Sequence, residues 1–249
     1  MNESLRAQLA ELANVHKGLI NIEERAGITV VSGALTFDVT PSGLEQIIDS
    51  FDVEMRVPQS YPKDLPDVVE TGGRIEEGYP HRNPGVGTMC LGAPVQVRLA
   101  FIEEPTILGF VNRLVVPFLY GFAYWYRHDE HPFGELEHGN AGIAQYYRRL
   151  LGLADDLAVL SFLGHLFEHG FRGHHDCPCD SGRKLRACHG NVARELLRAH
   201  TDFTFAKDIM LLFALYHERA KLKQLTIPNS VMDRMLRIHG RLKKATAIR

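Results

Sequence analysis

The sequence has no glycine-rich phosphate loop, no internal repeat and no low-complexity tract, so a P-loop nucleotide site, a repeat solenoid and a compositionally disordered chain are excluded. It also lacks a large excess of either charge. A net charge of −2 and a pI near 6.7 oppose a nucleic-acid binder that works by bulk electrostatics. Acids disappear only after Asp233, where Arg234, Arg237, Arg241 and Lys244 recur at helical spacing. That pattern predicts a solvated last helix, with docking to an acidic partner as the sharper alternative. Met1-Asn2-Glu3-Ser4 supplies neither the basic start nor the apolar stretch of an export signal. A reducing, cytoplasmic setting is therefore expected for the four cysteines. Long apolar runs are scarce as well. The one candidate, Ile107 to Tyr126, is interrupted by Asn112, Arg113 and Pro117 and carries aromatics along its length, which predicts a buried helix and no membrane span.

What the chain does contain is an ordered change of texture. Asn2 to His16 predicts an amphipathic helix with Leu5, Leu9, Leu12 and Ala13 on one face. Period-two alternation then predicts strands over Ile28–Val39, Phe51–Val57 and Asp67–Glu70, giving an antiparallel meander with one buried face. Val95 to Phe101 reads as a short extended segment. The apolar helix follows, to be kinked or divided by Pro117. Next come a loop rich in charge and histidine, His128 to Gly139, and a helix from Ala141 to Leu151. From Asp155 the pattern is helical only, with helices predicted over Leu157–Phe167, Asn191–His200 and Phe203–Lys223. Met210, Leu211, Phe213, Ala214 and Tyr216 form the expected core stripe of the last of these. The reading is an α+β part over residues 1–155 and a helical extension over 156–249.

The segment Met55 to Leu91 carries the chemistry. It holds Pro58, Tyr61, Pro62, Pro66 and Val68, then His81-Arg82-Asn83, then Cys90-Leu91. This order resembles the active-site signature of the ubiquitin-conjugating enzyme family, in which a P-x-x-Y-P-x-x-P-x-V crossing precedes an H-P-N step and a Cys-Leu. The family's H-P-N reads His-Arg-Asn here, and Asn83 to Cys90 is one residue shorter than the common spacing. With Pro132-Phe133-Gly134-Glu135, these departures look more like the divergent bacterial relatives, found with ubiquitin-like modification systems implicated in phage defence. The resemblance covers about the first 155 residues and implies the ubiquitin-conjugating fold. It further implies that Cys90 accepts a ubiquitin-like protein as a thioester. Asn83 would stabilise the oxyanion or brace the loop, and His81 would be structural. An acid after the long helix, Asp129 first and Glu130 second, would help deprotonate the acceptor amine. Gly85, Gly87 and Gly92 leave a permissive backbone around the cysteine, as the approach of another chain's tail requires. The bland alternative is that Cys90 is a small buried apolar residue.

A second constellation is local. Cys177-Pro178-Cys179 and Cys188-His189 give C-x-C and C-H pairs separated by a Ser181-Gly182 turn. Three thiolates and one imidazole suit closed, tetrahedral, structural zinc, with Leu185 packing beneath it. The run CPCDSGRKLRACHG, residues 177–190, resembles the SEC-C motif, a small zinc knuckle known from the tail of the preprotein-translocase ATPase, and the knuckle is set at residues 174–190. A disulfide among the knuckle's three cysteines is the alternative, opposed by the compartment and by that odd number. His174 or His175 is the substitute ligand if His189 does not serve. Arg183, Lys184 and Arg186 make the knuckle a docking knob or, more plainly, a clip for the helices.

The resemblance implies partners: a ubiquitin-like protein, an activating enzyme that consumes the ATP, and a protein substrate. No membrane or nucleic-acid partner is expected. A non-catalytic scaffold that binds ubiquitin-like proteins, with a zinc docking module, is the rival reading. A zinc protein associated with nucleic acid is the third.

Overall fold

Strict alternation of apolar residues builds the sheet. In the computed structural model, which describes residues 3–223 and 229–246, four antiparallel strands run in the order β1 (Asn21–Arg25), β2 (Ile28–Val39), β3 (Ile47–Val57), β4 (Asp67–Glu70). Leu35, Phe37, Phe51, Val53, Met55 and Val57 are buried on one face, while Asp52, Glu54 and Arg56 of β3 face the other way. β1 was not expected. All five of its residues are exposed, so it leaves no alternation to read. Its signal is the turn: Arg25 pairs with Ile28 across Ala26 (φ 50°) and Gly27 (φ 82°), the left-handed pair that a two-residue hairpin demands.

Helix α1 (Glu3–Val15) buries Leu5, Leu9 and Leu12. Gln8 Oε1 accepts from the Tyr61 hydroxyl and from the Ile107 amide, both at 2.9 Å, which fixes the start of the long helix. Helix α2 is Pro94–Glu103, so the extended segment predicted over Val95–Phe101 is helical. Proline at its first position is compatible with a helix start, and the Ala93 amide bonds Gln96 Oε1 at 3.3 Å. Val95, Val97, Leu99 and Phe101 satisfy a period of two, yet Val95 and Leu99 are also helical i, i+4 neighbours. Helix α3 runs unbroken over Ile107–His128. Val111–Val115 widen into π turns just before Pro117, and the missing amide is absorbed there, with no division of the helix. Phe122 meets Phe51 edge-to-face at 5.8 Å, seating α3 on the buried face of the sheet. Among the described residues α3 is the one single helix long and apolar enough to cross a membrane, and 61% of its most apolar window is buried.

The remaining α-helices among the described residues are α4 (Gly139–Leu151), α5 (Asp156–His169), α6 (Gly190–Ala199), α7 (Asp202–Leu222) and α8 (Asn229–Thr246). Contacts gather the chain into two units. Residues 1–92 and 100–135 form the first, and 93–99 with 136–249 form the second. This division differs from the sequence boundary at 155/156, because α4 packs with α5 and α7. The second unit's core centres on Tyr147, Phe162, Leu163, Leu166, Leu196 and Ile209. The buried stripe of α7 is Phe205, Ile209 and Leu212. Met210, Leu211, Phe213 and Tyr216 pack at its margin, and Ala214 is exposed, correcting the predicted phase. The side chains of Arg241 and Lys244 in the basic tail lie outside the described residues.

The class is α+β, with a four-stranded antiparallel sheet and flanking helices.

Candidate functional sites

Past β4 the chain forms a small hairpin that carries Cys90. Thr88 bridges Val69 and the Met89 amide donates to Val68 O at 2.8 Å, which hangs the hairpin on β4. Its own rungs are Cys90 N–H to His81 O (2.8 Å), Asn83 N–H to Thr88 O (2.8 Å) and Gly87 N–H to Asn83 O (2.9 Å). His81, Asn83 and Cys90 are thereby brought together in one element, and Cys90 is half-buried. The Asn83 carboxamide donates to Thr88 Oγ1 at 2.9 Å, so part of its capacity braces the hairpin. Beside it a cavity of about 130 Å³ is lined by Glu77, Arg82, Asn83, Gly85, Val86 and Gly87.

Asp129 occupies the loop after α3 as the sequence placed it, but its visible work is done by its backbone. At φ 56° it closes the helix with its amide on Trp125 O at 2.7 Å, and its side chain is exposed, as is that of Glu130. The loop side chains that reach His81 are His131 and Glu135. Glu135 Oε1 lies 3.2 Å from His81 Nε2 and 3.1 Å from His131 Nε2. Sequence reasoning missed this trio. Its only trace was the density of histidine and acid in residues 128–138.

In the second unit the knuckle forms a tight hairpin. Asp176 bridges Lys184, the Cys177 amide bonds Arg183 O at 2.8 Å, and left-handed Asp180 (φ 59°) and Gly182 (φ 69°) turn the chain between the ligand pairs. Cys177, Cys179, Cys188 and His189 converge, with all four ligand atoms within 4.8 Å of one another, and can hold a metal ion. His189 Nδ1 lies 3.2 Å from both Cys177 Sγ and Cys188 Sγ. Its Nε2 lies 2.8 Å from Leu151 O, a contact that requires the proton on Nε2 and leaves Nδ1 free to ligate. Burial pushes the Cys177 thiol up to about 12. At Cys179 burial also raises the pKa, but hydrogen bonding with Ser181 and Cys177 outweighs it and holds the thiol at about 6. Thiols this close resist joint ionisation, and a dication would relieve that repulsion. Leu185 is fully buried in the same core as Cys177, and Phe162 meets the His189 ring edge-to-face at 5.3 Å. His174 is exposed and His175 half-buried, both outside the four-ligand group.

One further polar group was not expected. Tyr147, fully buried, donates to Asp208 Oδ2 at 2.9 Å and lies 3.0 Å from His200 Nε2. Desolvation lowers His200 to about 4 and raises Asp208 to about 6, burial working against the charged form of each.

Comparison of the chain with family models, with curated proteins and with solved structures gives no match.

Proposed function

We propose that this chain is a ubiquitin-conjugating-type carrier with Cys90 as its working thiol, and that its Cys3His cluster holds structural zinc. The Cys90 thiolate attacks the thioester carbonyl of a ubiquitin-like protein borne on an activating enzyme's cysteine, and that cysteine leaves as its thiolate. A target amine then attacks the new thioester, Cys90 leaves, and the amine's proton passes to a base. The observation that carries the reading is the placing of Cys90, half-buried at the foot of a hairpin hung on the sheet's last strand, with Asn83 and His81 in the same hairpin. The run of helix, meander, cysteine hairpin and long apolar helix supports it too. Three thiolates and a Nδ1-ligating imidazole supply the tetrahedral donor set that zinc favours, with no position left for substrate. A reducing cytoplasm suits both roles.

Intact mass on non-reducing samples tests the carrier step. The chain is mixed with ATP, an activating enzyme and its ubiquitin-like protein. The reading expects a thiol-sensitive adduct of one modifier that Cys90→Ala abolishes. No adduct from a demonstrably charged activating enzyme contradicts it. The scaffold reading has one observation in its favour, the Asn83 carboxamide already engaged with Thr88. On that reading Cys90→Ala leaves binding of the ubiquitin-like protein intact.

A further inference from the structure

Two imidazoles from separate segments and one carboxylate converge on a point in the first unit. We propose that His81, His131 and Glu135 form a second metal site, for a divalent first-row transition ion, that ties the loop of residues 129–138 to the hairpin bearing Cys90. The three ligand atoms lie within 4.8 Å of one another. Both His Nε2 atoms approach the same carboxylate oxygen, Glu135 Oε1, at 3.2 and 3.1 Å. Metal–ligand bonds of about 2.0–2.2 Å in a tetrahedron set neighbouring ligand atoms roughly 3.3 Å apart, close to these separations. As plain hydrogen bonds the same contacts require both imidazoles to present Nε2–H to one oxygen; an ion instead accepts three lone pairs at once.

The rings are held in place before any ion arrives. Trp125 stacks on His131 at 6.1 Å and 17°, and Tyr79 meets His81 at 5.6 Å and His131 at 6.4 Å. Tyr79 itself is buried among Phe118, Phe122 and Trp125. Gly134 takes φ 69°, a left-handed step suited to glycine, and its amide bonds His131 O at 3.2 Å, folding Glu135 back toward His131. The imidazole side chains are about one-fifth exposed, 22% and 20%, and Glu135 is 47% exposed, which leaves a solvent path for the ion and at least one position for water or an exchangeable ligand. Two neutral imidazoles and a carboxylate suit zinc and its first-row neighbours better than calcium or magnesium, which prefer all-oxygen shells. The His81 carbonyl accepts the Cys90 amide, so an ion on His81 holds one rung of the cysteine hairpin. The proposal does not depend on thioester chemistry at Cys90.

The test is zinc content of the full chain after equilibrium dialysis against zinc, for the unaltered protein, His131→Gln and Glu135→Gln. The expected result is about two zinc ions per chain unaltered and about one in each variant, the remaining ion being that of the Cys3His cluster. Equal zinc in all three overturns the proposal. A measurement on the unaltered chain stands beside it. Adding zinc to protein whose cysteine cluster is already loaded should move the imidazole 15N resonances of two histidines other than His189, and should slow amide exchange in residues 129–138. Unmoved imidazoles or unchanged exchange would mean a proton-shared carboxylate cluster with no metal.

Discussion

The two cysteine-bearing hairpins of this molecule are built alike and finished differently. Each is a short turn held by a few backbone rungs, with a thiol at its foot. Around Cys177 the turn doubles back on four soft or imidazole ligands, the His189 ring is oriented by Leu151 O, and Leu185 is fully buried in the same core. Cys90 stands outside any such group among the described residues: it is half-buried, and its hairpin carries a small cavity lined by Asn83, Gly85 and Gly87. A thiol surrounded by ligands is a structural part once a metal binds, whereas a thiol outside such a group is not held by one. Which residues surround the sulfur decides between the two, and the hairpin does not.

The largest effect should come from breaking the closed hairpin. His189→Ala is expected to lose the bound metal and to destabilise the second unit by several kcal/mol, since the binding free energy of a structural metal is also folding free energy. Metal analysis and thermal melting check this, and a variant that melts like the parent would make the cluster dispensable.

A change of a few kcal/mol should follow from the buried network in the same unit, and it has a sign. His200 has a folded pKa of about 4, below the ordinary imidazole value of 6.5, so its contribution is complete above pH 6.5 and is lost as pH falls toward 4. Asp208 has a folded pKa of about 6, above 3.8, so its contribution is complete below 3.8 and is lost as pH rises toward 6. Between pH 4 and 6 the two slopes oppose and largely cancel. Asp208→Asn should expose a stability that rises with pH across that window, and His200→Gln one that falls. Denaturant melts from pH 4 to 6.5 read this directly, and parallel slopes in the two variants would refute the pairing.

The open hairpin should be cheap to alter. Thr88→Val removes the Asn83 brace and should cost about 1 kcal/mol by the usual worth of a hydrogen bond, with denaturant melts as the check. Cys90→Ala, at a half-buried site, should move stability by less than about 1 kcal/mol while abolishing the modifier adduct. A large destabilisation by Cys90→Ala would make Cys90 a packing residue and erase the contrast between the hairpins.

Legibility in the sequence follows the same divide. The ligands of the closed site lie within 12 residues of one another, so spacing alone brings Cys177 toward His189. His81 and Glu135 are 54 residues apart and meet only because α3 returns the loop to the hairpin, information that no local pattern holds. The sheet was readable where one face is buried, as in β2 and β3, and unreadable in β1, which is exposed throughout. Helix α2 differs from the extended segment its sequence suggests because its alternating apolar residues fit two periods at once, and only tertiary burial of Val95 decides between them. Tyr147, His200 and Asp208 each looked unremarkable in sequence. Their interest arises from a shared burial that desolvates all three.

Thiol labelling followed by peptide mass spectrometry tests the contrast most directly. The folded, metal-loaded chain is treated with a small alkylating reagent, before and after chelation. The account predicts that Cys90 labels first, while Cys177, Cys179 and Cys188 stay protected until the metal is removed. Comparable labelling of all four thiols in the loaded protein, or an inert Cys90, would contradict it.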